Sequence, residues 1–382
     1  MDEQNQVPPA QGEPEAPPQD PASILAWLEP YGAPDFAAIE AVERRRRVSR
    51  GLLAWLAIVL ATGVPAVALG LPELALLTAF GGLFAASHAS DLDRSWEFLD
   101  RALGWVVPIG GALLFVGLAA AYAKLGGLSS VAWRIEALCI AGVAGSLLML
   151  SPAVSTLVAG AFFRTSEPSR TLRLSAAVAL IAFLLAPPCM LAAPRLLEVL
   201  VGEGRSLVDN SSLGGGLAGE IVLALGAVGF LVRRDLRATL RRLGLRPLAP
   251  RHILLVGLGV AALFAINAGM DALERVAFPA LYARDQSVNR AIAGGLSGAQ
   301  ALLLGLSAGV GEEITVRGAL QPRFGLLPSA LLFAALHVQY SWFGILLVFA
   351  LGVTLGVIRA RTSTTAAIAV HAVYDALAVF GT

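Results

Sequence analysis

Eleven apolar runs alternate with short polar stretches along this chain. They lie near 51–70, 72–88, 103–123, 137–162, 173–193, 213–232, 252–270, 292–316, 327–341, 343–358 and 364–380. A helix of about 20 apolar residues crosses the hydrocarbon core of a bilayer. No water is available there to hydrogen-bond a bare backbone, so a spanning run satisfies itself as an α-helix. The pattern predicts an all-α fold, a polytopic transmembrane helix bundle of ten or eleven spans. The count is ten if one short run is re-entrant.

Residues 1 to about 20 break the pattern. They are rich in Pro, Gln and acidic residues and hold few large apolar ones, so they are expected to be disordered. They lack the basic start and apolar centre of a signal peptide. Two short stretches, 23–28 and 36–42, are expected as interfacial helices at the bilayer surface. The chain therefore divides into a disordered or interfacial segment at 1–50, an N-terminal group of membrane helices at 51–232, a basic linker at 233–251, and a C-terminal core at 252–382.

Composition agrees with the membrane assignment. The 382 residues are 57% hydrophobic and 14% charged, against roughly 25% charged in a soluble domain. A net charge of +1 gives no footprint for nucleic acid. Cys139 and Cys189 both lie in apolar runs, where structural thiols are expected.

Arginine placement orients the bundle. Arg44, Arg45, Arg46, Arg47 and Arg50 stand directly before the first run, which predicts a cytoplasmic N-terminus in a multi-pass cell-membrane protein. Arg164, Arg170 and Arg173 follow the fourth run, the 233–251 loop follows the sixth, and Arg359 and Arg361 follow the tenth. All fall on the same predicted side. The acidic 90–101 loop fits least well.

The chemistry concentrates in the last runs. Glu312-Glu313-x-x-x-Arg317, Phe333-x-x-x-His337 and His371-x-x-x-Asp375 place six ionisable groups in or beside apolar segments. Each costs about 2.5–3.5 kcal/mol at membrane depth, so they are expected to face one another. Glu312 and Glu313 point about 100° apart on a helix. Glu313 and Arg317, spaced i, i+4, share a face and form a positioning pair, which leaves Glu312 free to face a cavity as general base. Taken singly, each motif has an ordinary explanation: a helix-end Glu-Glu-x-x-x-Arg, a core histidine, a helix-packing hydrogen bond. Glu220, in the sixth run, suits either a polar pairing or a shallow interfacial position.

Depth joins the motifs. Counted back from the predicted cytoplasmic ends of their runs, Glu312 and His337 lie roughly 13 Å in and His371 roughly 12 Å in, at 1.5 Å per residue. Three helices thus present ionisable groups at one level, as an active-site cavity requires.

In this order on C-terminal membrane helices, the three motifs resemble those of the CPBP family of intramembrane proteases (CAAX protease and bacteriocin-processing, or Abi). The resemblance covers about residues 240–380. It implies an intramembrane endopeptidase acting on a membrane-associated protein or peptide. Glu312 and His337 would activate the attacking water, His371 and Asp375 would stabilise the oxyanion or complete the site, and Glu313, Arg317 and Phe333 would support it. The family often has Asn where Asp375 stands. The expected mechanism is glutamate-based with no cofactor. The alternative is Zn²⁺ held by Glu312, His337, His371 and Asp375. A non-catalytic immunity or scaffold protein of the same family, and a transporter with an intramembrane proton or metal relay, are the competing functions. An HExxH zinc site is absent from the sequence.

Overall fold

The computed structural model describes residues 36–124, 131–202 and 208–380. The expected disordered stretch at 1–20 and the helix expected at 23–28 lie outside them. The described residues are mostly helical, with one isolated bridge between Phe230 and Arg234. Contacts group Arg47–Thr382 into one compact unit.

The first helix, α1 (Phe36–Ile58), runs without a break through the arginine block into the first apolar run. The short helix expected at 36–42 is simply its beginning. Then follow α2 (Pro72–Leu92), α3 (Glu97–Lys124), α4 (Ala132–Leu148), α5 (Pro152–Phe163), α6 (Arg170–Gly202) and α7 (Asn210–Ala227). Beyond them come α8 (Leu236–Leu243), α9 (Arg251–Ala277), α10 (Pro279–Ala293) and α11 (Gly298–Glu313). The last three are α12 (Leu326–Ala335), α13 (Trp342–Arg361) and α14 (Thr364–Phe380).

Each apolar run contains helix, but among the described residues five helices are long and apolar enough to cross a membrane, or seven if each of two bent pairs is one span. The difference from ten or eleven has local causes. The fourth run folds at Pro152 into α4 and α5, bent by 103°, and α10 meets α11–Phe324 at 108°. The ninth run gives only the ten-residue α12. The second run buries Thr78, Ser87, His88 and Ser90 inside the bundle.

The 233–251 stretch is docked on the protein. Asp235 caps α8 by accepting from Ala238 N at 2.7 Å, and Arg242 Nη1 donates to Gly318 O at 3.0 Å. At its far end Thr364 Oγ1 donates to Leu243 O at 2.6 Å, and Thr364 N donates to Gly244 O at 3.1 Å. One apolar core runs through Phe84, Leu174, Ala224, Leu243 and Ile314, so the N-terminal and C-terminal helices share it.

The pair that positions the site is α11 against α14. Helices in lipid gain little from apolar burial against each other and rely on close packing. A Cβ at Gly305 would stand 2.5 Å from Ala372 O, and one at Gly309 would stand 2.6 Å from Ala372 N. Only bare backbone lets the two axes approach this closely. The capping box Ser297–Gln300 sets the start of α11, and α7 packs along its other side.

Candidate active site

Glu312 and Glu313 form the last turn of α11, and a π-helical segment, Ile314–Leu320, follows at once. Such segments recur at functional sites because they re-aim side chains. Here the segment carries Arg317 back over Glu313. Arg317 Nη1 lies 2.9 Å from Glu313 Oε1, with side-chain exposures of 1% and 0%. That N–H is not aligned for a hydrogen bond, so the contact is ionic. The aligned bond is Nη2 to Gly352 O at 2.9 Å, and the guanidinium carbon sits 4.5 Å from the Phe333 ring centroid. Charge, carbonyl and π-face together hold the buried cation.

Glu313 also reaches across to α14. His371 Nδ1 lies 2.9 Å from Glu313 Oε1. A carboxylate there fixes the proton on Nδ1 and turns Nε2 to the cavity. Nε2 lies 3.3 Å from Asp375 Oδ2 and 3.9 Å from Glu312 Oε2. The Glu312 side chain keeps 26% exposure and Asp375 keeps 20%, so both remain open to a ligand.

His337 lies just past α12, not within it. Its Nδ1 is 2.9 Å from Phe333 O, while its backbone N donates to Ala334 O at 3.0 Å. The ring therefore takes the carbonyl that the next helical N–H would use, and the helix stops. His337 packs on Phe333 at 4.7 Å between ring centroids, and Phe333 meets His371 edge-on at 6.3 Å. The ionisable groups acting on Glu312 are His337, His371, Asp375 and Glu313.

All seven residues singled out from the sequence thus meet in one place. Two further groups stand at its margin. Glu220 of α7 lies against Gly311. From the sequence it suited either a polar pairing or a shallow interfacial position in the sixth run; the structure gives the pairing. Tyr340 donates to Asn289 Oδ1 at 2.9 Å and lies within electrostatic reach of Asp375 and Glu312. No motif marks it.

A catalytic zinc takes three protein ligands. Among the described residues no three His, Cys, Asp or Glu side chains are placed to hold one ion. His371 Nδ1 on Glu313 and His337 Nδ1 on the Phe333 carbonyl leave both Nε2 atoms free of those partners, as a ligating imidazole requires. What does not fit the metal is the spacing of the four residues as placed, which brings no three of them around one point.

Comparison with known proteins adds two findings. Residues 295–377 match a family described as type II CAAX prenyl endopeptidase, Rce1-like. The uncharacterized protein YpbD of Bacillus subtilis (strain 168) is 30% identical over 138 residues, which is 36% of this chain and 70% of that protein. No solved structure matches the chain.

Proposed function

This chain belongs to the Rce1-like family of type II CAAX prenyl endopeptidases, and on that premise we propose that it hydrolyses a peptide bond of a membrane-associated protein or peptide with a water activated by Glu312 and His337. The observation that carries the proposal is the division of labour between adjacent glutamates. Glu313 is wholly buried and holds both Arg317 and His371, while Glu312 keeps an open face toward two imidazoles. A general base must reach water; a buried, doubly engaged carboxylate is a scaffold.

In the proposed reaction, Glu312 takes a proton from water as its oxygen attacks the scissile carbonyl carbon. His337, whose Nε2 faces away from the Phe333 carbonyl, orients that water. His371, oriented by Glu313 through Nδ1, offers an N–H at Nε2 to the oxyanion in its doubly protonated form, with Asp375 beside that nitrogen. The tetrahedral intermediate collapses, the C–N bond breaks, and Glu312 delivers its proton to the leaving amine. No step requires a metal. The cavity is proposed to open toward the cytoplasmic side, where the arginine-rich loops are expected.

The test is cleavage of internally quenched CaaX peptides, prenylated and unprenylated, by purified protein in proteoliposomes. The expected result is turnover by wild type and loss of turnover in Glu312→Gln with unchanged thermal unfolding. Full activity in Glu312→Gln, with activity lost in a folded Glu313→Gln, would reverse the two roles. A preference for the prenylated peptide would assign lipid recognition.

A further inference from the structure

The family match covers residues 295–377 and excludes the N-terminal helices. One of those helices nevertheless delivers a carboxyl to the site. Glu220 of α7 lies on the backbone of Gly311, the residue directly before Glu312. A Cβ at position 311 would collide with Glu220 Oε2, and would stand 3.0 Å from its Cδ and 3.2 Å from its Cβ. The glycine is the seat of the Glu220 side chain. Two hydrogen bonds keep α7 at this height on α11 and the segment after it. Thr315 Oγ1 donates to Glu220 O at 3.1 Å, and Ser307 Oγ donates to Leu213 O at 2.8 Å.

The ionisable groups acting on Glu220 are Glu312, Glu73, His371 and Glu313. Glu73, from α2, lies one helical turn away along α7, beside Gly216. Three of these four neighbours are carboxyls, and the one imidazole is already held by Glu313. Crowded carboxyls away from bulk water are costly in either state. As ions they repel across a low dielectric; as ion and acid they must bind a proton. Glu220 is wedged against Gly311, so the side chain free to turn away is Glu312. Turning away from α7 points it at His371 and the cavity.

We propose that Glu220 is a positioning residue of the N-terminal helices that, seated on Gly311, holds Glu312 turned toward the imidazoles. The inference rests on Glu312 being the base. It also gives the N-terminal helices a part in the chemistry, since the site is incomplete without α7.

The full-length protein in proteoliposomes is assayed with the quenched prenylated CaaX peptide, and thermal unfolding is measured beside it. Glu220→Gln is expected to lower kcat on the order of 10–100-fold with KM unchanged, the effect of a misaimed catalytic group. Its melting temperature should stay level or rise, because one crowded carboxyl is gone. Glu220→Asp should recover part of kcat. In the double variant Glu220→Gln/Glu312→Gln, the stabilisation should fall short of the sum of the single effects, since either change relieves the same crowding. Ser307→Ala loosens α7 on α11 without touching a charge and leaves the Thr315 bond in place; it should lower the melting temperature and cost less of kcat than Glu220→Gln. Wild-type turnover in Glu220→Gln would overturn the proposal. So would additive melting shifts in the double variant, or a kcat loss in Ser307→Ala equal to that in Glu220→Gln. If Glu312→Gln alone stays active, the base assignment fails, and the melting cycle still decides whether residues 220 and 312 are coupled.

Discussion

Glu313 and His371 meet at 2.9 Å, Oε1 to Nδ1, across 58 residues of sequence. The same oxygen lies 2.9 Å from Arg317 Nη1. One carboxylate thus ties the end of α11 to both its own following turn and the middle of α14. Asp375, spaced i, i+4 from His371, lies on the other ring nitrogen, at 3.3 Å. The orienting role belongs to Glu313, and Asp375 is left at the cavity.

This arrangement makes Arg317 the residue on which the site's assembly depends most. Arg317→Ala leaves Glu313 buried beside an uncharged gap, a loss expected at roughly 3–5 kcal/mol. Protein yield and melting temperature should both fall, and activity should fall with them. Arg317→Lys should recover only part, because a point charge cannot bond Gly352 O and cover the Phe333 ring together. Fluorescence-detected unfolding of the purified variants checks both.

Close approach of α11 and α14 is the second requirement. Gly309→Ala drives a methyl to 2.6 Å from the Ala372 backbone. The two helices must separate, at an expected cost of about 1–3 kcal/mol. Since Glu312 and His371 sit on opposite sides of this seam, kcat should fall more than stability suggests. A variant with normal kcat would mean that the site tolerates several tenths of an ångström of separation.

The docked stretch before α9 offers a contrasting case. Thr364→Val removes the donor to Leu243 O, a buried bond at the start of α14. The expected loss is about 1–3 kcal/mol. His371 lies two turns further along α14, so kcat should be near wild type. A large kcat loss with unchanged melting would tie α8 to the chemistry.

Metal removal separates the two mechanisms weighed from the sequence. With no three ligating side chains gathered around one point among the described residues, activity is expected to survive exhaustive chelation, with elemental analysis showing no stoichiometric zinc. Activity that disappears and returns with one equivalent of Zn²⁺ would require a rearranged site and would make Asp375 a ligand.

Much of this protein was legible in its residues. The long apolar runs determine helices, because a backbone in lipid has no other way to satisfy itself. The i, i+4 spacing of Glu313 and Arg317 determines their pairing, and the depth count along each run brings Glu312, His337 and His371 to one level. These are local or one-dimensional properties, and a sequence carries them directly. What the tertiary structure decided is which groups touch across helices. The Glu313–His371 contact depends on the bare backbone at Gly305 and Gly309, whose significance appears only when Ala372 is seen opposite. The bends at Pro152 and between α10 and α11 turn two apolar stretches into bent pairs, since hydropathy measures apolar length and not direction. Glu220 stood in an apolar run but belonged to no motif. Its place beside Glu312 follows from how α7 leans on Gly311, and helix-on-helix packing is a property of two surfaces that neither sequence segment states alone.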